Sequence, residues 1–372
     1  MTDVHAPTGR ESCCGALLDK TAGPGRLYLW LPSRHSVKEL HGYLRAGGWS
    51  CQISKEDRCV LVHLDGEDVS NLFGGLSRLL TATEYEDTKA LFKPGSEELS
   101  VKDFPKIRAL RRLVALGWAG WLLDMLSEQR LTSFFQPIVW ADEPTKIYAH
   151  ECLLRGIETD GSLIDPIYIL GLARDYGMIS QVDLAARKTA VREAARLNVK
   201  SNLFVNFTPT SLYDPAYYLR STINAIEEAG IPYENVVFEV TETDKTNDVL
   251  HLMDIVDYCR GFGFRIALDD VGSGYSSLNL IHQLRPDYIK LDMHLIRGVD
   301  HDPYKATIAQ KILEIAEELG IRSVAEGIET AEELRWIRTH GATFAQGYFI
   351  ARPNTFPQDN PMLYFQQSFE RR

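Results

Sequence analysis

From residue 134 onward, short runs of β-branched and aromatic residues alternate with longer stretches in which apolar side chains recur every three or four positions. The short runs, 134–139, 147–154, 203–207, 236–241, 265–268, 288–291, 322–325 and 344–350, have strand length and strand composition. The longer stretches, among them 183–197, 248–260 and 305–319, have helical spacing, as in Ile308, Ile312, Ile315 and Leu319. Eight strands with intervening helices in about 240 residues predict an α/β fold, a closed (β/α)8 TIM-like barrel. A doubly wound open sheet is the alternative. It is disfavoured because no glycine-rich phosphate loop follows the first strands.

The preceding segment reads differently. Strand-like 26–31, helical 37–45, strand-like 49–54 and 59–64, helical 69–80 and a strand near 91–93 predict a β-α-β-β-α-β unit, a small α+β domain of ferredoxin-like type. The expected organisation is a loose tail over 1–24, a regulatory domain over 25–105, a linker helix over 106–130 and the barrel over 131–372. On the linker, Ile107, Leu110, Val114, Trp118 and Trp121 share one face, a seam for another helix or for the barrel itself. Gly117 and Gly120 each cost a helix interior about 1 kcal/mol relative to alanine, so this helix needs tertiary packing.

Composition narrows the class without naming a function. With 45% hydrophobic and 24% charged residues in 372, the chain has the make-up of a folded globular protein. The longest uncharged apolar run, 113–123, is about half of what a bilayer span requires, and Asp124 closes it. The first residues carry no basic stretch followed by an apolar core, so a cytoplasmic protein without a membrane anchor is expected. Six cysteines (Cys13, Cys14, Cys51, Cys59, Cys152 and Cys259) are too sparse for a disulfide framework and match no zinc spacing. Residues 1–130 hold 17 basic and 17 acidic residues, so the whole formal charge of −11 lies beyond them. An acidic field of that kind disfavours DNA and RNA and suits bound cations.

The chemistry is expected where strands end. In a β/α barrel the carboxyl ends of the strands share one face. Glu151, Asn206, Glu239, Asp269, Asp270, Lys290, Glu326 and Gln346 all lie in or directly after successive strand runs. Singly, each has an ordinary explanation as a cap, a surface charge or half of an ion pair. Together they are five carboxylates, two amides and one lysine, and uncompensated buried carboxylates repel one another. Divalent cations resolve that conflict. Oxygen-only ligation favours Mg2+ or Mn2+ over zinc. Adjacent Asp269 and Asp270 suit a two-metal site of the kind that splits phosphodiesters with an activated water, and Lys290 suits the orientation of that water.

These residues stand in familiar surroundings. Glu151-Cys152-Leu153-Leu154-Arg155 resembles the Glu-Ala-Leu signature, with its trailing arginine, of the EAL-domain family of cyclic di-GMP phosphodiesterases. Phe135-Gln136-Pro137-Ile138, Val205 to Pro209, Phe238 to Glu242, Asp269 to Leu278, Tyr288 to Asp292, Ala325 to Thr330 and Gln346-Gly347-Tyr348 resemble further motifs of that family, in order, over about 131–360. The resemblance implies hydrolysis of cyclic di-GMP to its linear form. It implies metal ligation by Glu151, Asn206, Glu239 and Asp269, with Asp269 bridging and Asp270 on the second ion, and a water held by Lys290. Glu326 would assist the metal and water network, and Gln346 would be a polar member of the same cluster. Glu242 would steady the 269–277 loop and Arg155 would contact a phosphate. It also implies a homodimer through the barrel. Calcium, which prefers looser coordination, is expected to inhibit.

Three departures stand out. Cys152 replaces the motif's alanine, either as a packed hydrophobe or as a redox thiol with a lowered pKa. Val271 and Ser273 replace phenylalanine and threonine in the loop. The competing readings are a catalytically inactive cyclic di-GMP receptor or protein-interaction module, which a lost ligand would mark, and a hydrolase of another phosphodiester. All of the aligned ligand positions are retained.

Overall fold

A computed structural model describes residues 24–54, 56–65, 72, 75–76, 79–209, 215–241, 249–272 and 277–358. The chain divides into two compact units, 1–127 with 172–176, and 128–171 with 177–372.

In the first unit, strands β1 (Pro24–Trp30), β2 (Cys51–Ser54), β3 (Cys59–Asp65), β4 (Lys89–Pro94) and β5 (Arg108–Ala109) form an antiparallel sheet in the order β2-β3-β1-β4-β5. The first four strands have the ferredoxin-like order expected. Helix α1 (Arg34–Ala46) starts where the Ser33 hydroxyl accepts the Ser36 amide, and it buries Val37, Leu40 and Leu44. Of the expected 69–80 helix, residues 72, 75, 76 and 79 are helical and the others, apart from Leu80, lie outside the described residues. A short helix α2 (Ala82–Asp87), closed by a Thr81–Glu84 capping box, follows.

The linker helix α3 spans Leu110–Ser127, shorter at its start than the sequence pattern suggests. Arg108 and Ala109 are taken up as β5 against Lys89 and Ala90, so Ile107 precedes the helix instead of joining its apolar face. Leu110 and Leu113 are buried in the first unit's core. The side chains of Val114 and Trp118 lie outside the described residues, as do Cys13 and Cys14.

The second unit is a closed barrel of eight strands: β6 (Leu131–Trp140), β7 (Ile147–Ile157), β9 (Asn202–Asn206), β10 (Val236–Thr241), β11 (Arg265–Val271), β12 (Tyr288–Leu291), β13 (Arg322–Ala325) and β14 (Phe344–Ala345), with β14 returning to β6. A two-residue strand β8 (Leu163–Ile164) flanks β7. The last strand is shorter than the expected 344–350, because Gly347 to Ile350 turns back on itself through backbone bonds.

One feature departs from a regular β/α barrel. Seven strands run parallel, but β6 is antiparallel to both neighbours and joins β7 by a hairpin over 141–146 without a helix. The expectation that all strand carboxyl ends share one face therefore fails for β6. The helices of this part of the chain are α4 (Pro166–Asp175), whose residues from 172 on fall in the first unit, and α5 (Ile179–Arg196), α6 (Pro215–Ala229), α7 (Val249–Phe262), α8 (Ser277–Leu284), α9 (Met293–Ile296), α10 (Pro303–Glu318) and α11 (Ala331–Thr339). No described helix is long and apolar enough to cross a membrane.

Two cores result. One lies between the strands' outer faces and the helices, where Cys152, Val205, Phe238, Leu268 and Val271 meet residues such as Ala190, Ile255 and Ile312. The other fills the barrel with one side chain from each strand: Ile138, Ala149, Phe204, Val237, Ala267, Tyr288, Val324 and Phe344, all fully buried.

A buried ion pair ties the outer layer together. Arg187 on α5 reaches Asp183 one turn earlier at 2.9 Å, donates to the Thr222 hydroxyl on α6 and covers the Phe207 ring. The Asp183 carboxylate also accepts the Thr208 amide at 2.8 Å, which fixes the backbone just past β9. Removing one partner of such a pair strands the other charge in the interior. Asp183→Ala should therefore lower the barrel's stability by about 3–5 kcal/mol in chemical denaturation. A loss under about 1 kcal/mol, the size of a surface pair, would show that the interaction is not desolvated.

Candidate active site

Side chains on a strand alternate between faces, so two residues beyond each member of the barrel's filling another inward side chain must follow. On the parallel strands those residues are Glu151, Asn206, Glu239, Asp269, Lys290, Glu326 and Gln346. On antiparallel β6 the count runs backward, from Ile138 to Gln136. The apolar layer is thus a floor, and above it lies a ring to which every strand contributes one polar residue.

The ring closes on a single ammonium. Lys290 Nζ lies 2.6 Å from Glu239 Oε1, 2.7 Å from Glu326 Oε1, 3.1 Å from Asp269 Oδ1 and 3.6 Å from Glu151 Oε1, and the lysine is 1% exposed. Gln346 Nε2 donates to Glu151 Oε2 at 2.7 Å and to Gln136 Oε1 at 3.3 Å. Asn206 Nδ2 stands 3.4 Å from Glu151 Oε1.

Asp270 joins by a backbone device. As the neighbour of inward Asp269 it would point out of a regular strand, but the β11–β12 register slips between Leu268 and Val271, and Asp270 has a left-handed φ of 57°. Aspartate tolerates that conformation better than most residues. As a result, oxygens of Asp269, Asp270 and Glu326 all lie within 4.8 Å of one another. Gly272, with φ 101°, begins the loop, and a Cβ there would touch Leu295 at 3.0 Å. Gly274 lies outside the described residues.

Five carboxylates face one lysine, and their acid–base properties register the imbalance. Burial first, then the Glu151 charge, pushes Glu239 well above the ordinary carboxylate range. Burial first, with Asp269 and Glu151 adding to it against Lys290, raises Glu326 to about 8. Burial and then Asp269 raise Asp270 to about 6. Lys290, though desolvated, is held above its usual value by the surrounding carboxylates. Glu239 Oε2 is fully buried and meets no hydrogen-bond donor among the described residues. An all-oxygen donor set, with a carboxylate oxygen left over in the interior, fits hard divalent cations.

The ring opens into a cavity of about 370 Å³ whose wall includes Met293, Arg297, Gly327, Gly347 and Tyr348. A Cβ on Gly347 would meet the Ile328 backbone at 2.2 Å, so only glycine permits that approach. Arg155 shares its strand face with Glu151 but is not part of the cavity wall. Its guanidinium lies over the Phe134 ring and donates to the Leu154 carbonyl. Glu242 lies outside the described residues. Gln136 was not foreseen as a member of the site. Its signal was the reversed strand direction, which the motif order does not show. Cys152 alternates to the outer face, and burial raises its thiol pKa, which supports the packed-hydrophobe reading over the redox one.

Residues 119–353 match the EAL domain family model, and the chain belongs to that family. Among curated relatives, the Escherichia coli (strain K12) protein named "Probable cyclic di-GMP phosphodiesterase PdeG" is 31% identical over 235 residues, 62% of this chain and 46% of that one. The cyclic di-GMP phosphodiesterase NbdA of Pseudomonas aeruginosa is 29% identical over 62% of this chain and 30% of its own length. The chain thus spans less than half the length of these relatives. Among solved structures, a standalone EAL protein from Vibrio cholerae O395 in its c-di-GMP bound form is 33% identical, with a TM-score of 0.57 over 62% of this chain and 95% of that one. Klebsiella pneumoniae BlrP1, solved as a manganese and cyclic di-GMP complex, covers 89% of this chain and 96% of its own. At 22% identity and a TM-score of 0.54 it shares the fold.

The raised carboxylates set a pH dependence for the metal-free protein. Below their ordinary values of 3.8 and 4.5, Asp270 and Glu326 are protonated whether the chain is folded or not. As pH rises past those values the unfolded chain releases protons that the folded one keeps, so stability falls until the folded values of about 6 and about 8 are passed. Thermal unfolding in EDTA should therefore show a lower Tm near pH 8 than near pH 5.5, and Mn2+ should offset the decline. A Tm that rises with pH in EDTA would contradict the crowding of charge described above.

Proposed function

We propose that this chain is a phosphodiesterase that hydrolyses cyclic di-GMP to linear pGpG with two Mg2+ or Mn2+ ions. The observation that carries the reading is a cluster of five carboxylates, four of them within 4 Å of one ammonium, with a buried Glu239 oxygen left without a donor among the described residues. The named activities of the relatives supply the substrate.

Glu151, Asn206, Glu239, Asp269 and Asp270 would hold the ions. Bound there, divalent ions lower the pKa of water and neutralise charge on the leaving oxygen. Lys290 would orient the attacking water and offset phosphate charge. Glu326 accepts hydrogen bonds within the same water network. Gln346, held by Glu151 and Gln136, keeps the Glu151 carboxylate aimed into the ring. Arg155 contacts a substrate phosphate, and Glu242 steadies the loop that follows Asp269. In this reading residues 25–105 regulate the barrel, the protein acts in the cytoplasm as a homodimer through the barrel, and nucleic acid is not a partner.

Purified protein with Mg2+ or Mn2+ should linearise cyclic di-GMP, and Glu151→Ala should abolish turnover. Ca2+ should not support the reaction. Lys290→Ala should lower kcat at least about a hundredfold while weakening Mn2+ binding far less. Tight binding of cyclic di-GMP without cleavage under every metal tried would establish a receptor instead.

A further inference from the structure

The opposite end of the barrel has the opposite charge. At the amino-terminal ends of β11 to β13 lies a cavity of about 660 Å³, the larger of the two. Arg265 begins β11 and Arg322 begins β13, each two residues before a floor residue, so both side chains turn inward beneath the floor.

The two guanidiniums converge on the same pair of hydroxyls. Arg265 Nη1 lies 3.4 Å from Tyr148 Oη and 3.2 Å from Tyr288 Oη, and Arg322 Nη1 lies 3.1 Å and 3.2 Å from those atoms. Burial raises the Tyr148 hydroxyl to about 12, so it stays neutral and does not balance the arginines. Among the described residues no carboxylate lies within 4.0 Å of either guanidinium, whereas Arg187 and Arg297 each have one and Arg130 has two. Asp287, on the cavity wall, is engaged by the Ile266 amide at 2.9 Å. Arg285 adds a third positive charge to the wall. The two tyrosines share one hydrogen bond, which uses one hydroxyl proton and leaves the other free to donate.

Apart from His282, the rest of the wall is largely apolar. Leu278 and Ile281 face the cavity from α8, and Ile315 and Leu319 from the end of α10. Leu278 and Leu319 are 60% and 61% exposed. Two cationic forks held together with no carboxylate in contact, beside a largely apolar slot open to solvent, match an oxyanion attached to an apolar or aromatic body.

We propose that this amino-terminal cavity is a second ligand site, taking a small organic phosphate with its phosphate on Arg265 and Arg322 and its body against Leu278, Ile315 and Leu319. The assignment is independent of the proposed hydrolysis at the other end of the barrel.

Isothermal titration calorimetry of the full-length protein in EDTA, with guanosine 5′-monophosphate as probe, tests it. The nucleotide should bind with a Kd below about 1 mM. Guanosine, which lacks the phosphate, should bind at least about tenfold more weakly, as should the nucleotide to Arg265→Gln and Arg322→Gln. Leu319→Glu, an exposed change that leaves both arginines in place, should weaken binding similarly by adding like charge at the mouth. Glu151→Ala should leave nucleotide binding at wild-type strength. The proposal is overturned if the nucleotide does not bind, if binding survives Arg322→Gln and Leu319→Glu, or if Glu151→Ala abolishes it. Inorganic phosphate binding as tightly as the nucleotide would overturn the assignment of an organic ligand.

Discussion

The crowding of negative charge around Lys290 is the constraint on which the rest of the barrel depends. Two unit charges of like sign 4 Å apart repel by about 4 kcal/mol at the effective dielectric of a partly solvated site. A whole domain is stable by only about 5–15 kcal/mol. Five carboxylates around one ammonium therefore tax the fold on the scale of its total stability unless protons or cations intervene. The protein tolerates the strain because the surroundings leave the ring nowhere to relax. Beneath it are eight fully buried side chains, and around it are backbone ladders that fix each strand's register.

That arrangement explains why the site residues sit where they do in the chain. Each is two positions from a floor residue, so the same alternation that fills the barrel with apolar side chains also sets the polar ring above it. The antiparallel first strand breaks the chain direction but not the geometry, since Gln136 enters the ring by counting backward from Ile138. The exception is Asp270, which needs a register slip and a left-handed backbone to stand beside Asp269. The site thus rests on one general rule and one local distortion, and the distortion falls where two carboxylates must serve the same place.

Much of this was legible in the sequence, for an identifiable reason. Strand-length apolar runs that contain Glu239 or Lys290, or lead directly into Asp269 or Glu326, announce both the element and the residue it presents. The four-strand order of the first unit likewise follows from its hairpin and crossover pattern. What escaped depends on pairing, not composition. The direction of β6 is set by its hairpin to β7, and the start of α3 is set by Arg108 and Ala109 joining β4. The slip that turns Asp270 inward is decided by the match between β11 and β12. None of these leaves a mark in the local spacing of apolar residues.

The two ends of the barrel are also coupled by construction. Tyr288 and Lys290 are successive inward residues of the same four-residue strand. The tyrosine ring belongs to the floor, its hydroxyl faces the arginines below, and the lysine above holds the carboxylates. Arg265 and Asp269 flank Ala267 in the same way on β11, as Arg322 and Glu326 flank Val324 on β13. A fully buried floor one side chain thick separates the acidic ring from the arginine pair. On β11 and β13 the fold thus sorts charge along the barrel axis, with a carboxylate at one end of each strand and an arginine at the other.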